Sequence, residues 1–339
     1  MNSALRVAAA IVGIGAVVAL TLALFGLPVG SSLELLFKGS LGDSVAWTRT
    51  LVKATPLLLC ALGTLLAWRA GMFNIGGEGQ FLVGGLSGAV FAKAFGGLPP
   101  AALNLGILLA CIAGGAMYAA LAGWLFVKRG VQVVISTILL NFVALQMLGW
   151  AVSGPLNGGG GLPMTARLNA EAMLWRPSRQ SDLHSGVFLA LGAAIAVFAW
   201  LFWTRAGFRL RLVGEGPRVA RAARLNPGRL QMGAMALSGA MCGLAGGVEY
   251  TALAGQLGTG FSQQWGFLAI PVALVGGLHP LGAVLAALGF GALFAGSENV
   301  ARFTPEGATI GYAIQGLAVL GFLVWSAWAE SRAGLRRAE

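Results

Sequence analysis

Long apolar stretches separated by short polar clusters organise this chain from end to end. They fall at 7–28, 47–67, 72–95, 100–127, 132–153, 186–204, 230–252, 264–279, 281–297 and 308–328. A run of about twenty apolar residues is long enough to cross the hydrocarbon core of a bilayer as a helix, where every backbone polar group must be satisfied within the segment. The pattern therefore predicts an all-α polytopic membrane protein with about ten transmembrane helices. The stretch at 264–279 is interrupted by Pro271 and His279-Pro280, so some short segments are expected to be half-helices or re-entrant rather than full spans. Val83-Gly84-Gly85-Leu86 recurs as Val275-Gly276-Gly277-Leu278, which makes an internal repeat a candidate feature.

Composition sharpens that picture. Of 339 residues, 57% are hydrophobic and 10% charged, with a mean hydropathy of +0.81. Soluble domains carry about a quarter charged residues, which excludes that class. Fifty-three glycines suit closely packed membrane helices. Cys60, Cys111 and Cys242 lie far apart inside apolar runs and read as small buried hydrophobes, not as disulfides or metal ligands. Trp68, Trp124, Trp150, Trp200 and Trp203 fall near segment ends, as interface anchors do. The N-terminal apolar run follows a single arginine with no clear cleavage site, and is expected to be a retained span.

The net charge of +11 is unevenly placed. Thr204 to Gln231 carries Arg205, Arg209, Arg211, Arg218, Arg221, Arg224 and Arg229 against one acid, Glu215. With ten spans, one side receives 14 of the 22 basic residues, so that side and both termini are expected to be cytoplasmic. The membrane surface accounts for this charge better than nucleic acid does. Gly216-Pro217 opens a short helix within the arginine segment and Asn226-Pro227-Gly228 closes it. That helix is either a docking element or part of a positive-inside anchor. The whole chain, 1–339, reads as one transmembrane domain with an external loop at 154–185 and a cytoplasmic loop at 205–229. The external loop, rich in glycine and proline at first and then polar, is a docking surface for an outside partner or a solvated cap.

Polar residues where they are expensive form the second focus. Gly71 to Gln80 reads GMFNIGGEGQ at the head of an apolar run, with Asn74, Glu78 and Gln80 among four glycines. A uniform lipid-facing helix cannot hold this stretch, so its backbone and carboxylate must face protein or water. Glu78 is expected to be protonated, paired with Arg69 or Lys53, or capping a half-helix. The stretch is then a broken helix lining a substrate path, or a structural junction held by polar side chains. In VVISTILLNFVALQM, Thr137 and Asn141 share a helical face that Gln146 approaches. Amides and aromatics suit a neutral solute rich in hydroxyls or heterocycles.

No phosphate-binding GxxxxGK[ST] loop, metal-spaced ligand cluster or nucleophile–base set occurs, and an enzyme is not expected. A transport role leaves two classes. An ion-coupled secondary transporter needs deep ionisable groups, for which Glu78 and Glu249 are the candidates. A subunit driven by a separate ATPase needs a cytoplasmic docking helix, which residues 216–226 supply.

These residues resemble the permease subunits of bacterial ABC importers of the ribose and branched-chain amino acid class, most closely its nucleoside and simple-sugar branch. GMFNIGGEGQ at 71–80 is the most specific piece, and VISTILLNFVA at 134–144, RAGFRLRLVGEGP at 205–217 and GGLHPLG at 276–282 also fit. Ribose-type permeases carry a different motif at 71–80. The resemblance implies alternating access driven by two ATPase subunits, which hold the ATP and magnesium, with no cofactor in this chain. It also implies a second permease subunit, often non-identical, a periplasmic or lipid-anchored solute-binding protein, and a bacterial inner (plasma) membrane location. The implied solute is a nucleoside, with a purine preferred, or alternatively a simple sugar. The coupling helix maps onto Gly214, Glu215, Pro217, Arg218, Ala220 and Arg221. There the chain departs from the family's acid-Ala-Ala triplet and following glycine, showing Arg218-Val219-Ala220 and Arg224 instead. Asn74, Glu78, Gln80, Asn141 and Gln146 are the expected cavity-lining residues.

Overall fold

The computed structural model describes residues 26–177 and 182–303, with parts of 15–24 and 313–324. The described residues are helical, with isolated bridges but no named strand. In chain order the helices are α1 (Val29–Leu41), α2 (Ser44–Trp68), α3 (Gly77–Ala94), α4 (Pro100–Arg129), α5 (Val133–Ser153), α6 (Gly186–Trp203), α7 (Arg205–Gly214), α8 (Pro217–Ala222), α9 (Pro227–Glu249), α10 (Trp265–Val275) and α11 (Pro280–Arg302). Helices α2, α4, α5, α6 and α11 are long and apolar enough to cross a membrane.

Local chemistry sets the ends. Pro100 opens α4, where its missing N–H costs nothing, and Gly130 closes it in the left-handed region at φ 69°. Asn226 caps α9 through its side chain, which accepts from Arg229 N–H at 3.1 Å. Thr204 does the same for α7, accepting from Gly207 N–H at 3.1 Å.

Three sequence expectations change in detail. The run at 72–95 does not start as a helix, because Gly71 to Gly76 form a turn and α3 begins at Gly77. The segment 264–279 yields α10, which has 11 residues and a length of about 16 Å, half a bilayer core. Helix α1 lies between two apolar runs, where no element was expected; its Glu34–Lys38 pair at i, i+4 and small residues kept it below the apolar pattern. About half of the candidate span at 7–28 and most of that at 308–328 lie outside the described residues, as do Arg6 and the C-terminal arginines.

The chain forms two compact units, residues 1–54 with 288–339, and residues 55–287. In the first, Val18, Leu22, Val300 and Ile314 share a buried cluster. Lys53 and Glu298 form an ion pair, and Asn299 Nδ2 donates to Leu35 O at 2.8 Å.

The second unit is centred on α9, which packs on α4 and α3 at backbone distance. A Cβ at Gly115 would lie 2.2 Å from Gly239 O, and one at Gly239 would lie 2.1 Å from Gly115 O. No larger residue fits at that crossing, and this is the use the glycine content anticipated. Cys60, Cys111 and Cys242 are buried free thiols, as expected. The two Val-Gly-Gly-Leu quartets differ in conformation. The first lies inside α3, whereas the second ends α10 with Gly277 at φ 64° and Leu278 at φ 51°.

Candidate functional site

The turn between α2 and α3 is held together by side chains that substitute for absent helical hydrogen bonds. The first N–H groups of any helix lack intrahelical acceptors. In α3 the orphan N–H of Gly79 donates to Asn141 Oδ1 on α5 at 2.8 Å. The same amide donates from Nδ2 to Ile75 O at 3.0 Å. One side chain thus spans the break and satisfies a backbone group on each side of it. Thr137, one turn earlier on α5, accepts from Ile75 N–H at 3.2 Å.

Asn74 works from inside the turn. Its Oδ1 accepts from Gly76 N–H at 2.8 Å and from Gln80 Nε2 at 3.1 Å. Its Nδ2 donates to Gln80 Oε1 at 3.1 Å and to Ser238 Oγ on α9 at 2.9 Å. Trp68 Nε1 closes the turn by donating to Asn74 O at 3.2 Å. Asn74, Gln80, Thr137, Asn141 and Ser238 are all buried. The structure therefore brings Asn74, Gln80 and Asn141 together around the break. It does not bring Gln146, which is exposed about 140° further round α5.

Glu78 links two broken helices. It sits in the first turn of α3, 7% exposed, and its Oε2 accepts from Gly266 N–H at 2.9 Å. Gly266 is the second residue of α10, so the carboxylate caps that helix from outside. A Cβ on Gly266 would lie 2.0 Å from Glu78 N, so the two helix starts meet backbone to backbone. Of the roles expected for Glu78, capping a half-helix is the one observed. The alternative partners are engaged elsewhere: Lys53 pairs with Glu298, and Arg69 Nε donates to Leu278 O at 2.9 Å. Sequence reasoning missed Gly266 and Ser238, because nothing in their local sequence marks them as partners of a stretch more than 150 positions away.

The arginine segment meets this region at a second glycine contact. Gly214, the last residue of α7, packs on the turn after α2, where a Cβ would stand 2.1 Å from Arg69 O. Burial and nearby Arg211 push the Arg69 guanidinium below its ordinary pKa, against the opposing pull of Glu215. Arg211 in turn lies over the Phe202 ring, 4.9 Å from its centre. Beyond Gly214, Glu215, Pro217, Arg218 and Arg221 are exposed on or before α8. Ala220 is buried, so it holds α8 against the protein rather than presenting a surface.

At the opposite end, the 154–185 loop is tied to the residues after α9. Thr165 N–H donates to Leu257 O at 2.9 Å, Leu168 N–H to Gly255 O at 2.7 Å and Leu174 N–H to Thr251 O at 2.9 Å. Lys93, Asn157, Arg167, Asn169 and Tyr250 line a cavity of about 230 Å³ beside it. Among the described residues no cluster of metal-ligating side chains occurs.

A helical multi-pass chain with broken helices capped from their neighbours is built as a membrane transport subunit. The family model for the permease component of branched-chain amino acid transport systems matches residues 47–323, and the chain belongs to that family. It is a permease of the ribose and branched-chain amino acid class, in the nucleoside and sugar branch. It is similar to the glucose ABC transporter permease protein TsgB13 of Haloferax volcanii, with 34% identity over 302 residues covering 86% of this chain and 79% of that one. The guanosine ABC transporter permease protein NupP of Bacillus subtilis is 34% identical over 293 residues, 83% of this chain and 82% of its own. The nucleoside ABC transporter permease protein NupB of Lactococcus lactis is 30% identical over 286 residues, 79% and 76% of the two chains.

Proposed function

We propose that this chain is one of two permease subunits of an ATP-driven importer that moves a nucleoside, with a purine preferred, by alternating access. The observation that carries the mechanism is the Gly214 contact on Arg69. It joins the exposed arginine loop, through one short turn, to the capped break at 74–79. A partner ATPase holding ATP and magnesium would move α8. The backbone contact would pass that displacement to the α2–α3 turn, and the break would change the solute path beside it. Asn74, Glu78, Gln80 and Asn141 set the shape of that path by holding both half-helix starts. No chemical step on the solute is involved.

The remaining parts of this reading are an inner-membrane location, ten spans in one domain, both termini and the 205–229 loop cytoplasmic, and the 154–185 loop facing a periplasmic or lipid-anchored solute-binding protein. The nucleoside choice draws on the relatives named for guanosine and nucleosides; a simple sugar is the second reading, favoured by the glucose permease relative. A second, non-identical permease is supported by Bacillus subtilis, which has both NupP and a further guanosine permease protein, NupQ, 29% identical to this chain over 265 residues. An ion-coupled mechanism has less support, since the Glu78 carboxylate is committed to Gly266.

Uptake of radiolabelled guanosine, adenosine, uridine, ribose and glucose in cells expressing the full gene cluster tests the proposal. ATP-dependent nucleoside uptake that collapses when Arg218→Glu and Arg221→Glu are combined is the expected result. Uptake that persists without the ATPase, or that follows a proton gradient, would overturn the ABC mechanism. Sugar uptake alone would replace the solute and leave the mechanism standing.

A further inference from the structure

Helix α7 has an unpartnered face whose chemistry is not that of the proposed ATPase contact. Its opposite face is fixed: Gly207, Leu210 and Val213 are buried. A Cβ on Gly207 would lie 2.2 Å from Trp200 O, so α7 folds directly back on the end of α6. The outward face carries Arg205, Phe208 and Arg209, all exposed, with Phe208 57% exposed. Trp203, the last residue of α6, is 77% exposed beside them in sequence.

That face follows, along the chain, an exposed apolar stripe on α6. On α6 the exposed side chains Phe188, Leu191, Ile195 and Trp203 recur within one 120° sector, as a span in contact with acyl chains requires. Phe208 follows that stripe along the chain, and two guanidiniums flank it at i, i+4. From Gly186 to Gly214 there is no acidic residue, and Arg205 and Arg209 form no ion pair among the described residues. Aromatic side chains with arginines on a helix at the end of a span fit the boundary between acyl chains and phosphates. Guanidinium forks bind phosphate oxygens in bidentate fashion.

We propose that the Arg205–Phe208–Arg209 face of α7 binds an anionic phospholipid headgroup, with Trp203 and Phe208 against its acyl chains. The lipid fixes α7 in the membrane surface and so provides the base from which α8 projects. Exposed arginines on α8 lack the adjoining aromatic stripe and are not part of this site.

The test is native mass spectrometry of the detergent-solubilised complex titrated with phosphatidylglycerol or phosphatidylcholine, with inorganic phosphate as a separate competitor. The wild type should retain phosphatidylglycerol over phosphatidylcholine by about 25-fold, two basic contacts being worth roughly fivefold each. Arg205→Gln with Arg209→Gln should remove that preference. Arg205→Lys with Arg209→Lys should keep most of it, and Arg218→Gln with Arg221→Gln should leave it unchanged. Equal retention of both lipids by the wild type would overturn the proposal. So would displacement of the lipid by millimolar phosphate, which would mark a free-anion site. Loss of the ATPase from the Gln double variant with its lipid preference intact would assign the face to that subunit instead. A double variant that fails to fold is replaced by Phe208→Ala, which must weaken phosphatidylglycerol retention while phosphate has no effect.

Discussion

Replacing Asn141 with alanine isolates what the capped helix break contributes. The substitution removes the acceptor for Gly79 N–H and the donor to Ile75 O, both at normal hydrogen-bond distances. Asn141 is buried, so water does not take its place. Leaving one buried polar group without its partner costs about 1–3 kcal/mol, so two give about 2–6 kcal/mol. At about 2–4 °C per kcal/mol, the detergent-solubilised protein should unfold about 4–24 °C lower. Asn141→Leu should be equally destabilising, since it restores volume but neither hydrogen bond. The assay is thermal unfolding of the purified protein alongside solute uptake in cells, corrected for the amount in the membrane. Uptake should fall through kcat, because the break no longer holds one geometry, with KM little changed. An unfolding temperature within about 1 °C of the wild type together with a raised KM would refute this account. Asn141 would then be a solute contact and not a splint across the break.

Three further outcomes follow from the same geometry. Gly214→Val places a side chain against Arg69 O, where even a Cβ would stand at 2.1 Å. Overpacking of this kind costs about 1–3 kcal/mol, and ATP hydrolysis by the assembled complex should persist while uptake drops at least about tenfold; equal loss of both activities would argue against a transmitting role. Glu78→Gln keeps a carbonyl acceptor for Gly266 N–H and should fold normally, whereas Glu78→Ala should lose about 1–3 kcal/mol, read as unfolding temperature. The buried imidazole of His184, held at a pKa of about 4 by burial first and Arg176 second, against Asp182, is neutral when the 154–185 loop is docked. An undocked His184 takes up a proton near pH 6.5, so docking is at full strength above that pH and weakens as pH falls toward 4, by up to about 1.4 kcal/mol per unit. Proteolysis of the 154–185 loop should accelerate over that window, and His184→Gln should flatten the profile; a flat wild-type profile would sink the argument.

Several features of this protein were legible without coordinates because bilayer chemistry imposes them locally. A span must be apolar and about twenty residues long, so Ser44–Trp68, Pro100–Arg129, Val133–Ser153 and Gly186–Trp203 stood where the hydropathy put them. Asn74, Glu78 and Gln80 likewise marked a break, since a polar cluster at that depth cannot face lipid. What tertiary structure decided was the partner of each polar group. Glu78 reaches Gly266, Asn141 bridges Ile75 and Gly79, and Gly214 rests on Arg69; each contact joins residues more than 60 positions apart. Hydrophobic pattern states only that a group must be satisfied, and the helix crossings choose by what. Glycine shows the same division. Composition announced close packing, but Gly115 on Gly239 and Gly77 beside Gly266 became contacts only when the helices were brought together, because the distance between two backbones is a property of the crossing and not of either strand of sequence.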